Sequence, residues 1–85
     1  VIYRIEFAPR AARQFEALPQ AVKSRMRPRI EALAKNPRPP GAKRLQGKVP
    51  YLRIRAGDYR VVYHIRDDRL LVLIVMVGHR REVYR

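Results

Sequence analysis

Arg60, His64, His79, Arg80, Arg81 and Tyr84 are gathered between Gly57 and Tyr84, in a chain of 85 residues that has two histidines and no cysteine. Guanidinium groups grip phosphate oxygens in bidentate fashion, and imidazole exchanges protons near neutral pH. A phenol set beside Arg80 and Arg81 is expected to favour its phenolate. Such a set suits attack by a ribose 2′-hydroxyl on the neighbouring phosphate. That reaction needs a base for the hydroxyl proton, cations around the crowded phosphate and an acid for the leaving oxygen. Residue types alone leave His79 and Tyr84 both open as the base. Tyr84 reads equally well as an aromatic closing the core, and His64 reads as a strand residue with one polar handle.

Composition narrows the partner. Lys and Arg number 20 against 7 Asp and Glu, a formal charge of +13 and a pI near 11.4. An excess of that size repels itself unless an anion or acidic partner neutralises it, and nucleic acid is the commonest polyanion. The absence of cysteine excludes disulfides, thiolate metal sites and cysteine nucleophiles. Two histidines without a carboxylate cluster do not make a zinc or paired-metal site, so neither metal nor cofactor is expected. The longest apolar run is too short for a bilayer and no signal segment opens the chain, so no membrane partner and a cytoplasmic location are expected.

The elements that must position these groups follow from periodicity. Tyr3, Ile5 and Phe7 alternate with Arg4 and Glu6 as a half-buried strand. From Pro9 to Leu18 the small and apolar residues fall on one helical face, with proline tolerated in the first turn. Val22, Met26, Ile30 and Leu33 then form one stripe of a second helix over 20–35, in which Pro28 predicts a kink or displaced turn. Lys23, Arg25, Arg27 and Arg29 give this hairpin a solvated basic outer surface. The proline cluster of residues 36–41 is a stiff connector, and Lys43 to Lys48 is a short strand end or loop. Leu52, Ile54 and Ala56 alternate with Tyr51, Arg53 and Arg55, and after a turn at Gly57-Asp58 the alternation resumes from Tyr59 to Arg66. Asp67-Asp68-Arg69 turns the chain into Leu70–Val77, an unbroken apolar run expected of a strand covered on both faces. One domain of residues 1–85 results, with an α+β fold. An N-terminal strand and a helical hairpin precede a three-strand antiparallel meander, with the helices on one face of the sheet.

The other face is then left to water or ligand. The strand phases put Arg53 and Arg55 on one side of their strand, and Arg60 with His64 on one side of the next. If those sides coincide, several cations meet over the open face, with Arg80 and Tyr84 following at the end of the last strand. A basic concave surface of this kind suits single-stranded RNA, with Tyr51 or Tyr84 stacking on a base.

Four segments, Tyr3 to Phe7, Arg44 to Gly47, Gly57 to Tyr63 and Val77 to Tyr84, resemble the RelE/ParE superfamily of bacterial and archaeal toxins in their order and spacing. The resemblance spans nearly the whole chain. It implies the toxin of a type II toxin–antitoxin pair, and in the RelE branch a ribosome-dependent endoribonuclease, or mRNA interferase, acting on messenger RNA. It further implies Arg60, Arg80 and Tyr84 as catalytic, while His79 stays a possible acid or base on residue chemistry alone. Arg53, Arg55 and Arg81 would bind RNA phosphates, with Lys43, Arg44 and Lys48 as further basic contacts. The chain departs from the family pattern in a shorter interval from Arg80 to Tyr84 and in arginines where the family has strand lysines. The implied partners are a cognate acidic antitoxin, the ribosome and mRNA. The ParE branch shares the fold but poisons DNA gyrase; that activity and a non-catalytic RNA-binding domain are the alternatives.

Overall fold

Ile5 and Phe7 turn inward from strand β1 (Arg4–Phe7), while Arg4 and Glu6 stay exposed. Their inward side is covered by two helices, α1 (Pro9–Glu16) and α2 (Gln20–Ala32). The computed structural model describes residues 1–80. After the helices come β2 (Lys43–Arg44), β3 (Leu52–Ala56), β4 (Tyr59–Arg66) and β5 (Leu71–His79). The five strands lie in the order β1-β5-β4-β3-β2. The α+β architecture with helices on one face is as expected. Two features differ from a purely antiparallel sheet with a three-strand meander. β1 pairs parallel with β5, Arg4 opposite Leu71 and Phe7 opposite Ile74, so the sheet is mixed. The basic segment at residue 43 adds a short edge strand, Lys43 opposite Arg53 and Arg44 opposite Leu52.

The core is one cluster between helices and sheet. Ala11 and Phe15 of α1, and Val22, Met26 and Ile30 of α2, pack with Ile54, Val61, Tyr63, Val72, Ile74 and Val77. α1 begins at Pro9, where the missing N–H costs nothing, with Ala8 as its N-cap. Beyond the end of β1, α1 serves β5 in its place: the Gln14 Oε1 accepts a hydrogen bond of 2.9 Å from the Val77 N–H. α2 runs unbroken through Pro28, contrary to the expected displaced turn. Pro28 and Ser24, the residue four before it, are both exposed. Water can therefore satisfy the carbonyl that proline deprives of a donor.

The connector between helices and sheet is held at three points. The buried Tyr63 hydroxyl donates to the Pro37 carbonyl at 2.7 Å. Arg38 grips Asp67 with two hydrogen bonds, of 2.9 and 3.3 Å, and the Tyr3 hydroxyl donates to the same carboxylate at 2.5 Å. Arg38 and Tyr3 together hold the Asp67 carboxyl below its usual range, and Asp67 in turn raises the Tyr3 phenol. The stabilisation from Asp67 is therefore complete above the ordinary carboxylate pKa of about 3.9 and is lost as pH falls through the lower folded-state value. That from Tyr3 is complete below about 10 and is lost as pH rises through its raised value. Asp67→Asn is expected to flatten the acid side of the stability profile, read as the urea midpoint between pH 7 and pH 3.

Candidate functional site

The pleat decides which side chains share the helix-free face. Leu52, Ile54 and Ala56 of β3, and Tyr59, Val61, Tyr63 and Ile65 of β4, belong to the core side. Arg53 and Arg55, with Arg60, Val62, His64 and Arg66, consequently occupy the other. Register then fixes their neighbours. Arg55 stands directly opposite Arg60, Arg53 opposite Val62, and Lys43 opposite Arg53. Directly opposed residues hold their Cβ atoms about 5 Å apart, and like charges in that relation oppose folding. On the far side of Arg60 the partner is Gly78, which contributes no side chain. No carboxylate stands at any of these paired positions.

Arg53 and Arg60 are not the exposed cations the sequence suggests: their relative exposures are 6% and 7%. Their stems can cover the apolar floor of the same face, where Val62 is buried and Met76 half-buried opposite it. Arg55 and Lys43 remain exposed.

The floor exists because of an irregularity in β5. Val62 pairs with Met76 but Tyr63 pairs with Ile74, so Val75 is an extra residue in the ladder. Val77, Ile74 and Val72 thereby all reach the core, while Met76 and Leu73 turn to the open face. The expected strand begins at Leu71, not Leu70, and it is covered by helices on one side only, its second side lying under the basic face.

The remaining sequence candidates divide. The Arg80 N–H donates to the Asp58 carbonyl at 2.9 Å, which ties Arg80 to the turn beside Arg60, with its side chain exposed. His79, a possible acid or base, is not with the arginines. It pairs with Tyr59, whose ring it meets edge-on at 5.5 Å, so the pleat carries it to the helix side. Arg44 also leaves the basic face, because its partner is the inward-facing Leu52, and it lines a cleft with Arg38 and Ile65. Lys48 is exposed in the loop before β3. Arg81 and Tyr84 lie outside the described residues.

Arg29 is a residue that sequence reasoning assigned to a solvated helix face. Its guanidinium donates to the Arg55 carbonyl at 3.0 Å, and it lines a cleft of about 390 Å³ with Lys43, Arg53 and Arg55 at the edge of β3. That edge is open because β2 pairs only as far as Arg53. No sequence signal marks the contact, since it depends on how α2 crosses the sheet. A second cleft, of about 400 Å³, lies beside β1, with Phe7, Phe15 and Ile30 in its wall and the Arg27 guanidinium 5.4 Å from the Phe15 ring centre. Among the described residues no group of three His, Asp or Glu side chains could hold a metal ion. No helix among them is long and apolar enough to cross a membrane.

A helical hairpin backing a five-stranded sheet whose free face concentrates arginine defines a small α+β domain with a basic face. Residues 5–84 match the family described as the ParE toxin of type II toxin–antitoxin systems. The chain belongs to that family, and with it to the RelE/ParE superfamily of toxins. It is 28% identical over 86 residues to the mRNA interferase toxin RelE of Escherichia coli strain K12, covering 96% of this chain and 90% of that protein. Among solved structures it is similar to the toxin–antitoxin complex RelBE2 of Mycobacterium tuberculosis, with a TM-score of 0.82 and 28% identity over 94% of this chain and 93% of that one. The archaeal RelE–RelB complex of Pyrococcus horikoshii OT3 gives a TM-score of 0.81 at 25% identity, over 94% and 97% of the two chains.

Proposed function

We propose that this toxin is a ribosome-dependent endoribonuclease that cleaves messenger RNA. The observation that carries the reading is the direct opposition of Arg55 and Arg60 on a helix-free face, beside side-chain-free Gly78. Cations at directly opposed strand positions repel, and a phosphate bound across them would relieve that repulsion. The relative named as an mRNA interferase supports the same conclusion. In the reaction, the 2′-hydroxyl of one nucleotide attacks the adjacent phosphorus. Its proton passes to a base, a bond from oxygen to phosphorus forms, and the bond to the 5′-oxygen breaks as that oxygen takes up a proton. Arg60 and Arg80 would stabilise the charge that builds on the phosphate, Arg53 and Arg55 would hold the strand, and Tyr84 would handle the 2′-hydroxyl. With His79 on the helix side, Tyr84 is the better candidate for the base.

The partner would be an acidic antitoxin that folds on contact, neutralises part of the +13 charge and lays an apolar face into the cleft beside β1. The solved relatives are themselves toxin–antitoxin complexes. Primer extension on cellular messages after expression of the toxin tests the activity. Cuts within the codons of translated messages are expected. Intact messages with damaged DNA would overturn the reading in favour of a gyrase poison, and intact messages with RNA binding alone would reduce it to a binding domain.

A further inference from the structure

Four residues along β4 from Arg60, the same face carries a different kind of group. The rings of Tyr51 and His64 meet edge to face, their centres 6.1 Å apart. Both residues are half-buried. On its other side His64 is opposite Leu73, which extends the apolar floor begun by Val62 and Met76. At about 3.3 Å per strand residue, the aromatic pair lies roughly 13 Å from Arg60 along the sheet. A phosphate at Arg55 and Arg60 and a ring at His64 would therefore meet different nucleotides of one strand.

His64 is also poorly explained by folding. Its Nδ1 is buried and has no hydrogen-bond partner, and a buried polar atom left unsatisfied works against stability. A leucine would fill the same place on an apolar floor without that penalty. An aromatic ring with a stability cost, on the face that carries the arginines, is what a stacking platform for bases requires.

From this we infer that Tyr51 and His64 form a subsite that stacks an unpaired RNA base displaced along the strand from the phosphate held by Arg55 and Arg60. The inference rests on the ribonuclease reading and deepens it. It gives the basic face a direction, with phosphate recognition at the end near the β3–β4 turn and base recognition toward the opposite end. Stacking accepts every base but favours purines with their larger faces, so the subsite would bias which codons are cut without strictly selecting them.

The test is binding of a fluorescein-labelled single-stranded RNA oligonucleotide by the full chain, measured by anisotropy across a salt series, with thermal melting of each variant. His64→Leu is expected to melt at or above the temperature of the unchanged protein and to bind about 10-fold more weakly, the effect of losing one stacked base. Its dependence of affinity on salt should be unaltered, because no phosphate contact is removed. His64→Phe, which keeps a ring, should bind as the unchanged protein does, and Tyr51→Leu should weaken binding as His64→Leu does. Unaltered binding in His64→Leu and Tyr51→Leu, while the parent binds RNA, would overturn the subsite and leave the ribonuclease reading standing. A lowered melting temperature in His64→Leu, with no rescue by phenylalanine, would assign His64 to the fold instead. Failure of the unchanged protein to bind RNA would overturn the subsite, while the ribonuclease reading would still be decided by the cuts that primer extension finds on translated messages.

Discussion

Arg55→Glu should give a well-folded protein whose RNA cleavage is lower by about 10³-fold. Arg55 is exposed and directly opposite Arg60, so the substitution replaces a repulsive cross-strand pair by an attractive one. Pairs of this kind are worth roughly 0.2–1 kcal/mol, which predicts an unchanged or slightly higher melting temperature. Function moves the other way for two reasons. A carboxylate now stands where a phosphate should lie, and like charges forced together in an interface cost several kcal/mol. The same carboxylate also engages Arg60, and removing one preorganised group aimed at transition-state charge typically costs about 10²–10³ in rate. Arg55→Gln separates the two contributions. It should lose about 10-fold and reduce the slope of log affinity against log salt by about 0.7, the share of one phosphate on a single strand. Arg80→Ala and Tyr84→Phe should likewise lose cleavage while still binding the antitoxin. Full activity in Arg55→Glu would show that the phosphate does not lie on this face.

Much of this face was legible beforehand, because alternation along a strand needs no knowledge of its partner. Arg53 and Arg55 stand opposite in phase to Leu52 and Ile54, and Arg60 to Val61, so the shared side followed once the strands β3 and β4 were joined by the turn at Gly57. The facing of residues beyond an irregularity was not legible. In Leu70–Val77 every residue is apolar, and that uniformity conceals both the extra residue at Val75 and the phase that carries His79 to the helix side. The side that Arg44 takes was not legible for a related reason: it depends on register with Leu52 in a strand of two residues, too short to show a period. Nothing local specifies the parallel pairing of β1 with β5 either, since that contact is made only after the helical hairpin returns the chain. Burial of Arg53 and Arg60 also escaped prediction, because charged residues count as exposed in any reading by residue type.

Tyr63→Ala should bring the protein to the edge of unfolding, for reasons that tie the connector to the sheet. Tyr63 is fully buried among the largest core side chains, and its hydroxyl donates to the Pro37 carbonyl at 2.7 Å. Replacing a large buried aromatic by alanine typically costs about 3–5 kcal/mol. Stability of roughly 0.05–0.15 kcal/mol per residue leaves a domain of this size only a few kcal/mol beyond that. Tyr63→Phe isolates the hydrogen bond. It keeps the ring but leaves a buried carbonyl unpaired, at a cost of about 1–3 kcal/mol. The pH dependence supplies an independent signature, because burial pushes the Tyr63 phenol up to about 12. A raised folded-state value means the contribution is complete below the ordinary phenol pKa of about 10 and disappears as pH climbs through the raised one. Urea titrations should therefore show the parent losing stability steeply on the alkaline side, and Tyr63→Phe losing it more gently from a lower starting point. Because Tyr63 lies between Val62 and His64 on β4, loosening it should also weaken RNA binding in proportion to the fraction unfolded. RNA binding that survived a global loss of fold would contradict the requirement that strand register alone brings Arg55 and Arg60 together.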